Sequence, residues 1–184
     1  GETVWMDGPL ALAARMGAIF YLDEVVEARE DTIVVIHPLT DDRKVLPMDK
    51  TGETIVAAPG FQLVASYNPG YQHALKDLKP STRQRFVSLD FDYPAAAVEA
   101  RIVAHESGVK QSVAASLVDV AHRTRRLREQ GLAEGPGTRL LVSAGRLIAE
   151  GIPPARACQV AIAAALTDDP DLRSAIGDII DTTM

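Results

Sequence analysis

The 184 residues are 47% hydrophobic and 24% charged, enough apolar material for a sizeable core in one domain or two small ones, which excludes a disordered chain. A formal net charge of −6 excludes a global field able to hold DNA or RNA, whose binding depends on neutralising phosphates. The single cysteine, Cys158, and four scattered histidines exclude an internal disulfide and a zinc spacing, and no apolar stretch reaches the roughly 18 residues that span a bilayer. The expectation is a cytoplasmic protein without nucleic-acid partners or membrane insertion.

Taken in chain order, residues 18–22 (AIFYL) and 61–67 (FQLVASY) are short apolar runs introduced by Gly17 and Gly60, the pattern of buried strands in a parallel sheet. Between them the sequence predicts a helix from Asp31 to about Thr40. A protruding hairpin follows, pairing residues 44–47 with 53–56 around Thr51-Gly52. Residues 86–91 (FVSLDF) alternate and predict a third strand with one face more exposed. Beyond Pro94 the periodicity becomes helical. One helix is expected from Pro94, at its first position, to Gly108, and a second from Gln111 to Gln130, with Val113, Leu117, Val120, Ala121 and Leu127 on one side. Further starts are signalled by Thr138 as N-cap, by Pro153-Pro154 and by Asp169-Pro170, and a four-helix bundle is the simplest packing. The change of pattern at Asp92-Tyr93-Pro94 divides the chain into an α/β part, residues 1–92, and an all-α part, residues 93–184.

Four features carry potential chemistry. Asp23-Glu24 directly follows the first apolar run, and adjacent acids at the carboxyl end of a buried parallel strand are costly unless they serve a cation or a reaction. The same pair also ends an ordinary strand and caps the next turn. Asn68 closes the second run in Asn68-Pro69-Gly70, where an amide can donate to a phosphate oxygen or position water; the triplet equally suits a plain turn. Arg83 and Arg85 stand two apart on a short segment ahead of the third predicted strand, suited to bidentate phosphate contacts or simply to a solvated helix end. Arg139 follows Gly135-Pro136-Gly137-Thr138 in the first turn of a helix, where its charge opposes the helix dipole. The basic run 122–128 lies on an amphipathic helix with few aromatic residues near it and reads as a solvated face or subunit contact; Cys158 reads as a packing residue.

Longer runs make a resemblance specific. Residues 5–10 (WMDGPL), 21–29 (YLDEVVEAR), 37–41 (HPLTD), 66–72 (SYNPGYQ), 75–79 (LKDLK) and 166–170 (LTDDP) are similar to the MoxR branch of AAA+ ATPases, and within it to the CbbQ/NirQ/NorQ group. The resemblance implies a partial AAA+ core, a parallel sheet with flanking helices, followed by a helical lid. It also implies a Walker B pair in which Asp23 holds the magnesium of bound ATP and Glu24 activates the attacking water. Asn68 then corresponds to sensor 1, Arg83 and Arg85 to an arginine finger acting on a neighbouring subunit, and Arg139 to sensor 2. The hairpin resembles the insertion that faces the pore or client. Such proteins form rings, usually hexamers, work with a partner bearing a von Willebrand factor A domain (CbbO- or NorD-like), and remodel a client enzyme. That client is Rubisco in the CbbQ case and nitric oxide or nitrite reductase in the NirQ/NorQ case. No G-x-x-x-x-G-K-[S/T] occurs in the 184 residues. They are therefore expected to be a piece that lacks the phosphate-binding loop and binds ATP poorly by itself.

Overall fold

The computed structural model describes residues 4–68 and 78–184. The chain divides into two compact units, Gly1–Leu89 and Asp90–Met184, and each builds its own core. The fold class is the expected one: a mixed α/β unit followed by a helical unit.

In the first unit α1 (Pro9–Met16) starts with proline at its first position, where the missing N–H costs nothing, and stops at Gly17 in the left-handed region, φ 67°. A side chain at Gly17 would bring its Cβ within 2.3 Å of the Pro59 carbonyl oxygen. The chain then enters β1 (Ile19–Leu22), which pairs in parallel with β4 (Gln62–Ala65), Ile19 opposite Gln62 and Leu22 opposite Ala65. These strands are less buried than their apolar composition predicts: Ile19 is 68% and Tyr21 56% exposed, while Phe20 and Leu22 are half-buried. Alternate side chains of a strand point to opposite faces, and among the described residues only one face of this pair is packed.

Between the strands, the expected single helix is two short ones, α2 (Glu30–Val35) and α3 (His37–Thr40), parted at Ile36. Pro38 explains the break: it falls in the first turn of α3, and without an N–H it cannot bond back to the preceding turn, so the helical ladder is interrupted there. The hairpin forms as β2 (Val45–Met48) and β3 (Glu53–Val56), antiparallel, with Leu46 opposite Ile55. Its base does not protrude. Leu46 and Ile55 are buried in one cluster with Ala11, Ala14 and Leu39, and Arg15 of α1 is ion-paired to both Asp7 (2.8 Å) and Glu53 (2.5 Å). The turn, residues 49–52, and the first two residues of β3 are exposed.

A one-turn helix α4 (Pro80–Arg83) follows the undescribed stretch, and residues 86–91 are not a strand. Val87, Leu89 and Phe91 are 92%, 77% and 93% exposed. A strand exists only by pairing with a neighbour, and alternation in sequence does not supply one.

The second unit holds α5 (Ala96–Ser107), α6 (Gln111–Arg125), α7 (Thr138–Ala149), the short helices α8 (Pro154–Cys158) and α9 (Ala164–Leu166), and α10 (Pro170–Thr183). A π turn, Gln159–Ala163, joins α8 to α9 into one rod, so the unit has five helical rods rather than four. Helix α5 begins two residues after Pro94, with Ala95 as its cap, and ends at Gly108 in the left-handed region. Helix α6 tightens into a 3-10 turn from Arg126 to Gln130. Leu117, Val120 and Ala121 are fully buried on its expected inner face, against Val103, Leu141, Cys158, Ile162, Ile176 and Ile180. Each such aliphatic side chain contributes about 1.5–3 kcal/mol on burial. At the end of α5, Gly145 of α7 lies so close that a Cβ there would be 2.5 Å from Ser107 Oγ. Asp169 caps α10 as expected, accepting from the amides of Asp171 and Leu172. Thr138 is not a cap: it is the first helical residue, after Gly137. Cys158 is fully buried and burial pushes its thiol up to about 11, in keeping with packing.

Candidate functional site

The Asp23-Glu24 pair sits where the β1–β4 ladder opens. Ser66, just past β4, donates its amide to the Leu22 carbonyl (2.9 Å) and accepts with its own carbonyl from the Val25 amide (3.0 Å). Evenly spaced parallel bonding leaves one residue between such partners; here two, Asp23 and Glu24, are fitted in. The extra residue is absorbed by Glu24, which lies in the left-handed region at φ 48°, ψ 48°, a conformation costing a non-glycine residue about 1–2 kcal/mol. Buried Val25 anchors the turn that follows. The bulge exposes both carboxylates.

Asp23 is held firmly. Ser66 Oγ donates to its Oδ1 at 2.7 Å, and the Tyr21 hydroxyl lies 2.9 Å from both that oxygen and Ser66 Oγ. Ser66 Oγ also accepts from the Glu24 amide at 3.3 Å. The Ser66 and Tyr21 hydroxyls, with the Glu24 backbone, hold the Asp23 carboxyl below its ordinary range, so it is a carboxylate at neutral pH. Neither Tyr21 nor Ser66 is singled out by the sequence alone. The available signal was the period of the strand, which puts Tyr21 and Asp23 on one side and the residue after Ala65 opposite them.

Asn68 follows two residues after Ser66 and is exposed; Pro69 and Gly70 of its triplet, with most of 66–72 and 75–79, lie outside the described residues. Arg83 ends α4 and is exposed. Arg85 is exposed too, and its guanidinium folds back onto the Ser81 carbonyl. The turn that carries both is anchored by buried Thr82, whose hydroxyl is 3.0 Å from His37 Nε2. Burial, then the charge of Arg85, holds the His37 imidazole below its usual range despite Asp41.

In the helical unit Arg139 is exposed in the first turn of α7. The residues leading to it are fastened by side chains far away in sequence. Glu99 of α5, entirely buried, takes both nitrogens of the Arg125 fork (2.7 and 2.9 Å) and the Thr138 hydroxyl (2.8 Å). Arg125 also donates from Nε (3.1 Å) and Nη2 (2.9 Å) to the Pro136 carbonyl, and its guanidinium lies 3.6 Å from the centre of the Tyr93 ring. Tyr93 in turn donates to the Gly135 carbonyl at 3.2 Å. This corrects, at one residue, the reading of 122–128 as a solvated face or subunit contact: Arg123, Arg126 and Arg128 are exposed, but Arg125 is an interior ion-pair partner. Nothing in local sequence signals the pairing, because Glu99 stands a helix away.

Two family profiles cover the chain: the AAA domain of the dynein-related subfamily over residues 1–86, and the CbbQ/NirQ/NorQ C-terminal region over residues 99–183. NirQ of Pseudomonas aeruginosa, a denitrification regulatory protein, is 58% identical over 179 residues, 97% of this chain and 69% of NirQ. The chain belongs to the CbbQ/NirQ/NorQ family of MoxR-type AAA+ proteins. CbbQ of Hydrogenophilus thermoluteolus is 64% identical, over 95% of this chain and 65% of its own length; NorQ of Paracoccus denitrificans is 57% identical, over 97% and 66%. The chain thus spans about two thirds of the length of the CbbQ, NirQ and NorQ relatives it matches. Asp23, Glu24, Asn68, Arg83 and Arg85 fall in the AAA match and Arg139 in the CbbQ/NirQ/NorQ match.

AAA-type domains are nucleotide-binding, and the Asp23 end of β1 fits magnesium carried by a nucleotide. Magnesium sites of that kind use one or two carboxylates and leave the remaining positions to phosphate and water. Asp23 offers one fixed carboxylate, and among the described residues no cluster of three or more acidic, histidine or cysteine side chains forms a self-sufficient metal cage.

Proposed function

We propose that these residues belong to an ATPase that spends ATP hydrolysis on remodelling a client enzyme. The observation that carries the reading is the bulge after β1, which fixes Asp23 as a carboxylate through Ser66 and Tyr21 and turns Glu24 outward beside it. Asp23 is assigned to the magnesium of bound ATP, which neutralises charge on the phosphates. Glu24 takes the proton of the attacking water, and its strained left-handed backbone keeps the carboxylate from settling into the strand. Asn68 is assigned to the γ phosphate or the water, Arg83 and Arg85 to the nucleotide of an adjacent subunit in a hexameric ring, and Arg139 to the nucleotide from the helical unit.

The hairpin turn, residues 49–52, is the client-facing part, and a von Willebrand factor A protein is the assigned working partner. The client is assigned as Rubisco, by the resemblance to CbbQ, with nitric oxide or nitrite reductase, by the resemblance to NirQ and NorQ, as the second reading; identities of 64%, 58% and 57% support the group as a whole. ATP-driven work of this kind, with one buried free cysteine, suits the cytoplasm.

The test is Glu24→Gln in the full-length protein. ATP binding is expected at the parent affinity, and steady-state hydrolysis is expected to fall by about 100-fold or more, the usual weight of a general base. Turnover equal to the parent would remove Glu24 from the role.

A further inference from the structure

We propose that Glu99, Arg125 and Thr138 are positioning residues that aim Arg139 at the nucleotide; the inference rests on the assignment of Arg139 made above. Burying a carboxylate as completely as Glu99 is expensive, and a buried ion pair rarely stabilises more than well-packed apolar side chains would. The cluster therefore calls for a purpose other than net stability. Its hydrogen bonds supply one, because they converge on the chain that leads into α7.

The Gly135 carbonyl is held by Tyr93, the Pro136 carbonyl twice by Arg125, and the Thr138 hydroxyl by Glu99. Arg139 is the next residue. The helix start itself gains little from these side chains: Gly137 is the cap and makes no side-chain bond to it, while the Thr138 hydroxyl points to Glu99. An arginine in the first turn also works against the helix dipole. The direction of α7 is thus fixed by a rigid, satisfied, buried network, and the exposed guanidinium is mounted on it. Gly135 is part of the fit, since a Cβ there would stand 2.7 Å from Arg125 Cγ.

A double-mutant cycle on the full-length protein tests this, with ATP affinity read by titration of a fluorescent analogue in magnesium. Thr138→Val removes one hydroxyl at nearly constant volume and is expected to weaken binding by about 10-fold, as is Arg125→Lys, which keeps the charge but loses the fork. Thr138→Ser keeps the hydroxyl and is expected to restore the parent value. In an Arg139→Ala background, Thr138→Val is expected to cause no further loss, whereas a merely structural role would leave the two losses additive. Additive losses, or Thr138→Val at parent affinity beside a weakened Arg139→Ala, overturn the positioning role. Arg139→Ala at parent affinity is a different failure: it removes the nucleotide assignment of Arg139, and the positioning role falls with it.

Discussion

Asp23 is defined by its neighbours more than by its place in a motif. Two hydroxyls and a backbone amide gather around one carboxylate and the residue after it, and Ser66 takes part in three of the four contacts, the fourth running directly from Tyr21 to Asp23. Ser66→Ala removes the largest cause of the lowered Asp23 titration, so Asp23 should titrate closer to its ordinary value. The sign follows from linkage. A carboxyl whose folded value is depressed contributes stability that is present above its unfolded value and lost as pH falls through the folded one. The variant should therefore be less stable than the parent at neutral pH, with the gap closing in acid. Carbon-13 NMR of the Asp23 carboxyl and urea midpoints at both pH values read this out; an unmoved titration would show that Ser66 does not hold Asp23. At this scale the acids and exposed arginines were legible, because charges at strand and helix ends stand out in a sequence. Ser66 and Arg125 were not. A serine beside an apolar run is unremarkable until the opposite strand is in register, and an arginine among arginines looks solvated until its buried partner is located.

Among the elements, α5 and α7 approach closely at one point. Gly145 faces Ser107, whose own hydroxyl bonds back to the Val103 carbonyl, so neither side has room to yield. Gly145→Ala should force the helices apart and cost about 1–3 kcal/mol despite alanine's better helix propensity. A denaturant midpoint at or above the parent's would contradict that packing. The hairpin and the helix ends at Gly108 and Asp169 could be read from sequence because turn residues and caps act locally. The segment 86–91 could not, since its alternation describes a strand only if a partner lies alongside. Pro38 split a predicted helix for the converse reason: its missing N–H outweighed the apolar periodicity around it.

Across the whole chain, an α/β unit and a helical unit each hold a core of their own, and each matches a different family profile. That pairing of profiles, with identities well above half to CbbQ, NirQ and NorQ relatives, fixes the family. The net charge of −6 makes a nucleic-acid role unnecessary to the account. The chemistry assigned to it rests on the carboxyl end of one parallel strand pair. The structure of the full-length protein with magnesium and a non-hydrolysable ATP analogue tests that assignment most directly. The account predicts the metal bound to Asp23 at about 2.1 Å or through one water, with the terminal phosphate facing Glu24. A nucleotide seated elsewhere, with its metal remote from Asp23 and Ser66, would contradict it.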